Sequence, residues 1–82
     1  MNYKEIGQKI LEAVGGKEDV QNLTYSATRL RFTLADDYKA DDESVQAIDG
    51  VVSLAKSGSQ YQVVVGSDVP SVYRALEGLL GL

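Results

Sequence analysis

The chain has 82 residues, of which 44% are hydrophobic, enough for one small globular core and too many for a disordered chain. Eight basic and twelve acidic residues give a formal net charge of −4, which argues against non-specific binding to nucleic acid. The chain contains no Cys and no His, so it offers no disulfide, no thiolate or imidazole metal ligand and no imidazole base. We therefore expect residues 1–82 to form a single domain that holds no metal and no cofactor.

The first predicted element is an amphipathic helix. Its apolar stripe, at helical spacing, comprises Tyr3, Ile6, Ile10, Ala13 and Val14. Asn2 and Glu5 form a capping pattern at its start. The helix is predicted to end at Gly15–Gly16, because glycine accepts the left-handed conformation that terminates helices.

Two strands are predicted next, at about Val20–Tyr25 and Arg29–Leu34, with Ser26 at the bend between them. In the second strand the apolar Leu30, Phe32 and Leu34 alternate with the polar Arg29, Arg31 and Thr33. Successive strand residues point to opposite faces, so both guanidinium groups are expected to share the face away from the core. Two guanidinium groups on one face close to a serine indicate a binding site for an oxyanion such as a phosphoryl group.

The second half of the chain predicts a short helix, a hairpin and a final helix. The predicted bounds are a helix opened by Asp41–Glu43 and ended by Gly50, strands at Val51–Lys56 and Gln60–Val65, and a helix capped at Ser67 or Asp68 with Pro70 in its first turn. The element order is therefore αββαββα. This order predicts an α+β two-layer sandwich, in which three helices cover one face of a four-stranded, mainly antiparallel sheet.

Three segments of the chain resemble the IIB domains of bacterial sugar phosphotransferase systems. They are the Ile-Leu-x-x-Val-Gly-Gly-Lys-Glu pattern at 10–18, the Ala-Thr-Arg-Leu-Arg-Phe run at 27–32 and the Tyr-Gln-Val-Val-Val-Gly run at 61–66. The central run is the specific one, and details around it are most similar to the β-glucoside, sucrose and trehalose branch. The resemblance covers essentially the whole chain and implies the same α+β fold.

The resemblance also implies the functional residues. In this family a cysteine directly before the central run carries the phosphoryl group, and the matching residue here is Ser26. Thr28, Arg29 and Arg31 match the phosphate-binding positions, and Ala27 and Gln62 match positions near the site. For Gln62, an ordinary exposed strand residue is an equally good interpretation. A hydroxyl lacks the acidity of a thiol, so we expect an inactive Cys-to-Ser form, whether introduced or natural.

The resemblance finally implies partners and a location. The phosphate donor would be a phosphohistidine on a IIA domain, and the acceptor would be a sugar bound by a membrane IIC domain. By family the chain is then a phosphotransferase and a piece of a larger permease, on the cytoplasmic side of the bacterial inner membrane, while the chain itself contains no apolar run of about 18 residues. We expect the isolated domain to be monomeric; the sugar and the order of the fused domains stay open. The alternative is a non-catalytic ligand-sensing or regulatory module, because one fold hosts many functions.

Overall fold

The helices and strands follow one another in the predicted order αββαββα in the computed structural model, which describes residues 2–81. They are α1 (Tyr3–Ala13), β1 (Val20–Tyr25), β2 (Arg29–Leu34), α2 (Asp42–Gln46), β3 (Ser53–Ser57), β4 (Gln60–Val64) and α3 (Val69–Leu80). Short 3₁₀ turns at Lys17–Asp19, Asp37–Lys39 and Gly66–Asp68 connect some of them, and these were not predicted from the sequence. The described residues contain no helix long and apolar enough to cross a membrane.

The caps of α1 follow from its sequence. The Asn2 side-chain oxygen accepts a hydrogen bond from the Glu5 backbone N–H at 3.0 Å, which satisfies one of the free donors of the first turn. The helix ends where Gly15 and Gly16 adopt φ angles of 111° and 88°, a region that other residues rarely enter. The turn that follows buries Asp19, whose Oδ1 atom accepts the Asp36 backbone N–H at 2.8 Å and so ties this turn to the end of β2.

The four strands form one antiparallel sheet in the order β1-β2-β4-β3. Each hairpin supplies two neighbouring strands, and the hairpins join through β2 and β4 at the centre of the sheet. In the central pair, Arg29 lies opposite Val64, and Arg31 lies opposite Gln62. This pairing places the polar side chains of β2 and β4 on one face.

The hydrophobic core lies between the other face of the sheet and the helices. Along β2 the apolar positions are buried and the polar positions are only half-buried, as the alternation predicted. The core comprises Ile6, Ile10, Leu11, Val14, Leu23, Leu30, Phe32, Leu34, Val45, Ile48, Tyr61, Val63, Val65, Val69, Val72 and Leu76. Helices α1 and α3 pack against each other above it. The predicted α+β two-layer sandwich is confirmed.

The short helix α2 is attached to the sheet by its first residue, Asp42. Its carboxylate accepts a hydrogen bond from the buried Tyr61 hydroxyl at 2.7 Å and lies 2.9 Å from the Lys56 ammonium. Lys56 first, and then Tyr61, hold the pKa of Asp42 below its ordinary value. Burial, with Asp42 second, raises the pKa of the Tyr61 hydroxyl.

Three predicted boundaries in the second hairpin were wrong, including the end of β3, which lies at Ser57 rather than Lys56. Strand β3 begins at Ser53 rather than Val51, because the Val51 N–H closes a turn onto the Ile48 carbonyl at 3.0 Å. Strand β4 ends at Val64: the Val65 N–H still donates to the carbonyl of Thr28, the residue opposite it, but within residues 2–81 the Thr28 N–H makes no backbone bond in return, so the pairing stops there.

The predicted cap of α3 was also wrong in part. Asp68 occupies the N-cap position, but its side chain makes no capping hydrogen bond to the described helix. A 3₁₀ turn at Gly66–Asp68 leads into the helix instead.

Candidate functional site

The bend between β1 and β2 is an exposed loop held at both ends by backbone hydrogen bonds. The Ser26 N–H donates to the Arg29 carbonyl at 2.9 Å, which closes the hairpin. The Thr28 carbonyl accepts from the N–H groups of Val65 and Gly66 at 2.9 and 3.0 Å, which ties the loop to the end of β4. Because both ends are fixed, the loop has a defined position at one end of the sheet.

Two backbone donors in this loop are free. Within residues 2–81, the N–H groups of Ala27 and Thr28 donate to no backbone or side-chain acceptor, and both residues are exposed. Adjacent free N–H groups at a tight bend can bind the oxygens of an anion. The loop therefore offers main-chain donors beside the Ser26 side chain.

The residue before the loop is anchored to the helical layer. Tyr25 lies opposite Leu30 in the β1–β2 register and stacks on Tyr73 of α3, with ring centroids 4.5 Å apart and planes inclined by 44°. Tyr25 is 47% exposed, so the pair lies at the surface. The stack fixes the point where β1 enters the loop.

Arg29 is connected to the neighbouring strand by a short hydrogen bond. Its Nη1 atom donates to the Gln62 side-chain oxygen at 2.6 Å. The Gln62 amide nitrogen in turn donates to the Gln60 side-chain oxygen at 3.1 Å, and Arg31 Nη1 donates to that same oxygen at 3.1 Å. We call these four side chains, Arg29, Gln62, Gln60 and Arg31, the polar network.

The polar network carries two positive charges and no negative one. The three ion pairs found within the described residues involve lysines only, so neither Arg29 nor Arg31 has a carboxylate within 4.0 Å there. Each guanidinium group has five N–H donors, and one donor of each forms a hydrogen bond to a glutamine. Most of these donors thus stay free for an anionic ligand.

The sheet register places Ser26 beside the nearer arginine. Tyr25 pairs with Leu30, and the Ser26 N–H bond to Arg29 extends this register by one residue. Residues directly opposite each other in an antiparallel pair direct their side chains to the same face, with Cβ atoms about 5 Å apart. Ser26 and Arg29 therefore lie side by side on the open face, whereas Arg31 lies about 7 Å further along β2.

The structure brings most of the predicted site residues to one end and one face of the sheet. Ser26, Ala27 and Thr28 form the loop, and Arg29 borders it. The interpretation of Gln62 as an exposed strand residue was wrong: it is 5% exposed and bonds to Arg29.

Gln60 was not predicted from the sequence, although a signal was present. It stands two residues before Gln62, so the two glutamines share a strand face by the same alternation that grouped the arginines. Within residues 2–81, no three acidic side chains converge to form a metal site. The fold and this face of the sheet define a small α+β domain that carries a fixed loop and two arginines without carboxylate partners among the described residues.

Comparison with known proteins names the family. The family model for the phosphotransferase system EIIB domain matches residues 8–41. The β-glucoside-specific EIIBCA component of Halalkalibacterium halodurans is 46% identical over 74 residues, which are 90% of this chain and 12% of that protein. The sucrose-specific EIIBC component of Staphylococcus xylosus is 40% identical over 82 residues, 99% of this chain and 17% of that protein.

The fold comparison agrees. A crystal structure of one domain of the phosphotransferase system IIabc component from Clostridium difficile superposes with a TM-score of 0.89 at 28% identity, covering 94% of this chain and 81% of that one. The chain is therefore an EIIB domain of the sugar phosphotransferase system. It spans about an eighth to a sixth of the length of the Halalkalibacterium and Staphylococcus relatives.

Proposed function

We propose that this domain is the phosphoryl carrier of a sugar transporter, and that position 26 is where the phosphoryl group is attached. One observation carries the proposal. A fixed loop with two free N–H donors lies beside an arginine that has no carboxylate partner among the described residues. Such donors stabilise the negative charge on a transferred phosphoryl group without having to reorganise.

The proposed reaction has two steps. A nucleophile at position 26 attacks the phosphorus of a phosphohistidine on a IIA domain; the P–N bond breaks, and the imidazole keeps the electron pair. In the second step, the hydroxyl oxygen of a sugar held by a IIC domain attacks the same phosphorus and loses its proton to water; the bond from phosphorus to the nucleophile breaks, and the nucleophile keeps the electron pair. The relatives' names combine B with C, or with C and A, which supports such partners for this chain and a place within a membrane permease.

Ser26 determines how well this chain performs the reaction. A thiol in this setting would ionise near neutral pH, since adjacent donors and positive charge lower thiol pKa values, whereas a serine hydroxyl stays protonated. Activating a serine requires a neighbouring general base, and the chain has no histidine. We therefore assign the Ser26 form as the inactive counterpart of a cysteine carrier.

The test compares the chain with its Ser26→Cys variant. Each is incubated with a phosphorylated IIA domain and analysed by intact-protein mass spectrometry. We expect no label on the chain as it stands and a stable phosphocysteine in the variant. Ser59→Cys is the matched control, because it places a thiol in the other hairpin turn, at an exposed serine.

Three outcomes would contradict the proposal. Rapid stoichiometric labelling of Ser26 would remove the inactive assignment. An unlabelled Ser26→Cys variant would remove the carrier function. Equal labelling of the Ser59→Cys control would show that any exposed thiol accepts the phosphoryl group, and that the loop contributes nothing.

A further inference from the structure

The Gln60 side chain lies at the centre of the polar network but far from the loop. It stands four residues before Val64, the residue opposite Arg29, which corresponds to about 13 Å along the strand. An anion at position 26 therefore cannot contact Gln60. Any influence of Gln60 on the site has to pass through Gln62 or Arg31.

The hydrogen bonds show how such an influence works. Gln62 is almost completely buried, and its amide group has two ends that differ only in being an acceptor or a donor. With the amide nitrogen donating to Gln60, the amide oxygen faces Arg29 and accepts its N–H. If the amide turned over, its NH₂ group would face the Arg29 guanidinium, and two donors would oppose each other.

We infer that Gln60 is a positioning residue of the anion site, which sets the orientation of the Gln62 amide and thereby holds the Arg29 guanidinium beside the loop. Its oxygen accepts from both Gln62 and Arg31, so one acceptor aligns the two arginines as a single array. This inference rests on the proposed phosphoryl-carrier function for its effect on transfer. Its effect on Gln62 and Arg29 does not depend on that function.

The first arm of the test reads the network directly by NMR of the whole chain. Gln60→Met keeps an unbranched side chain of similar length and removes the amide oxygen that accepts both hydrogen bonds. We expect faster solvent exchange of the Gln62 side-chain amide and shifted Arg29 side-chain N–H signals. Gln60→Glu keeps an acceptor and should restore slow exchange of that amide. Gln46→Met, at an exposed glutamine, is the control and should change neither signal.

The second arm measures phosphoryl transfer in the Ser26→Cys background. Loss of one aligning hydrogen bond should slow transfer about 10-fold in Gln60→Met, with Gln46→Met unchanged. If the Met variant folds poorly, Gln60→Thr replaces it. Threonine suits a strand but is too short to reach Gln62, so transfer should slow by a similar factor.

The two arms separate the two ideas. If the Ser26→Cys protein accepts no phosphate, the carrier function fails, and the NMR arm alone decides on Gln60. If the Gln62 and Arg29 signals are unchanged in both Gln60→Met and Gln60→Thr, the positioning role is wrong, whatever the transfer rate. If the signals change but transfer with an active cysteine does not, Gln60 orders the sheet face without serving the site, and the inference is overturned.

Discussion

The sharpest test of the site is Arg29→Ala, since the structure predicts separable losses of stability and of activity. Replacing an exposed arginine changes stability by less than about 0.5 kcal/mol. Arg29 is instead half-buried and donates to the Gln62 oxygen, which belongs to a residue only 5% exposed. An unsatisfied buried acceptor costs about 1–3 kcal/mol. Because the truncated side chain admits water to this face, we expect a loss at the lower end of that range, about 1 kcal/mol.

The loss of activity has a different origin. In the proposed site, with Cys at position 26, the Arg29 guanidinium would be the charged donor beside the phosphoryl group. Removing one preorganised donor lowers a rate about 100-fold or more. Urea unfolding gives the stability change, and the rate of phosphoryl transfer from a IIA domain gives the activity change.

Two further variants distinguish the loss of stability from the loss of activity. Adding Gln62→Leu to Arg29→Ala removes the orphaned acceptor and should restore most of the stability, while transfer stays slow. Arg74→Ala removes an equal charge from an exposed position on α3 and should leave transfer unchanged. If Arg29→Ala transfers phosphate at the parent rate, or if Arg74→Ala slows transfer as much, Arg29 has no specific role and the reasoning fails.

Two further predictions concern the fold. Tyr61→Phe removes a hydrogen bond to Asp42 and should cost about 1 kcal/mol at neutral pH in urea unfolding, with Tyr38→Phe, at an exposed tyrosine, costing nothing measurable. The pKa of Asp42 is lowered in the folded state, so the stabilisation by its carboxylate is present above the unfolded pKa and is lost as pH falls through the folded pKa. The loss of unfolding free energy caused by Tyr61→Phe should therefore shrink over that pH range. An equally large loss in acid would refute the charge-assisted hydrogen bond. Gly15→Ala should lower the free energy of unfolding by at least about 2 kcal/mol, because φ is 111° and the new Cβ would lie 2.7 Å from the buried Asp19 carboxylate. Gly58→Ala, at φ 60° with no atom near the new Cβ, should lower it by about 1 kcal/mol. Equal losses in the two variants would contradict the steric argument.

The fold was largely predictable because its signals are local. The stripe of α1 and the glycines that end it lie within one segment, and so do the two strands of each hairpin. The start of β3 was not predictable in this way. Val51 and Val52 suit a strand by composition, but the Val51 N–H closes a turn onto the Ile48 carbonyl, and residue-by-residue pairing with β4 begins only at Ser53.

The candidate site was predictable only in part, because its contacts are not local. The alternation in β2 indicated which face Arg29 occupies. Nothing near Arg29 in sequence indicated its partner, since Gln62 lies 33 residues away and reaches it only through the β2–β4 pairing. Gln60 and Gln62 had the right period to share a face, but the register that joins them to the arginines is a property of the sheet.

The arrangement also explains how a serine can occupy position 26 without disturbing the site. Among the described residues, the Ser26 side chain takes part in no hydrogen bond, whereas its backbone N–H closes the hairpin. The loop is held by main-chain N–H groups of Val65 and Gly66 that donate to the Thr28 carbonyl, and Arg29 is held by its hydrogen bond to Gln62. None of these contacts requires the residue at position 26 to be serine or cysteine. The donors are therefore held in place independently of the side chain at position 26, and Ser26→Cys should change the chemistry of the candidate site while leaving its geometry intact.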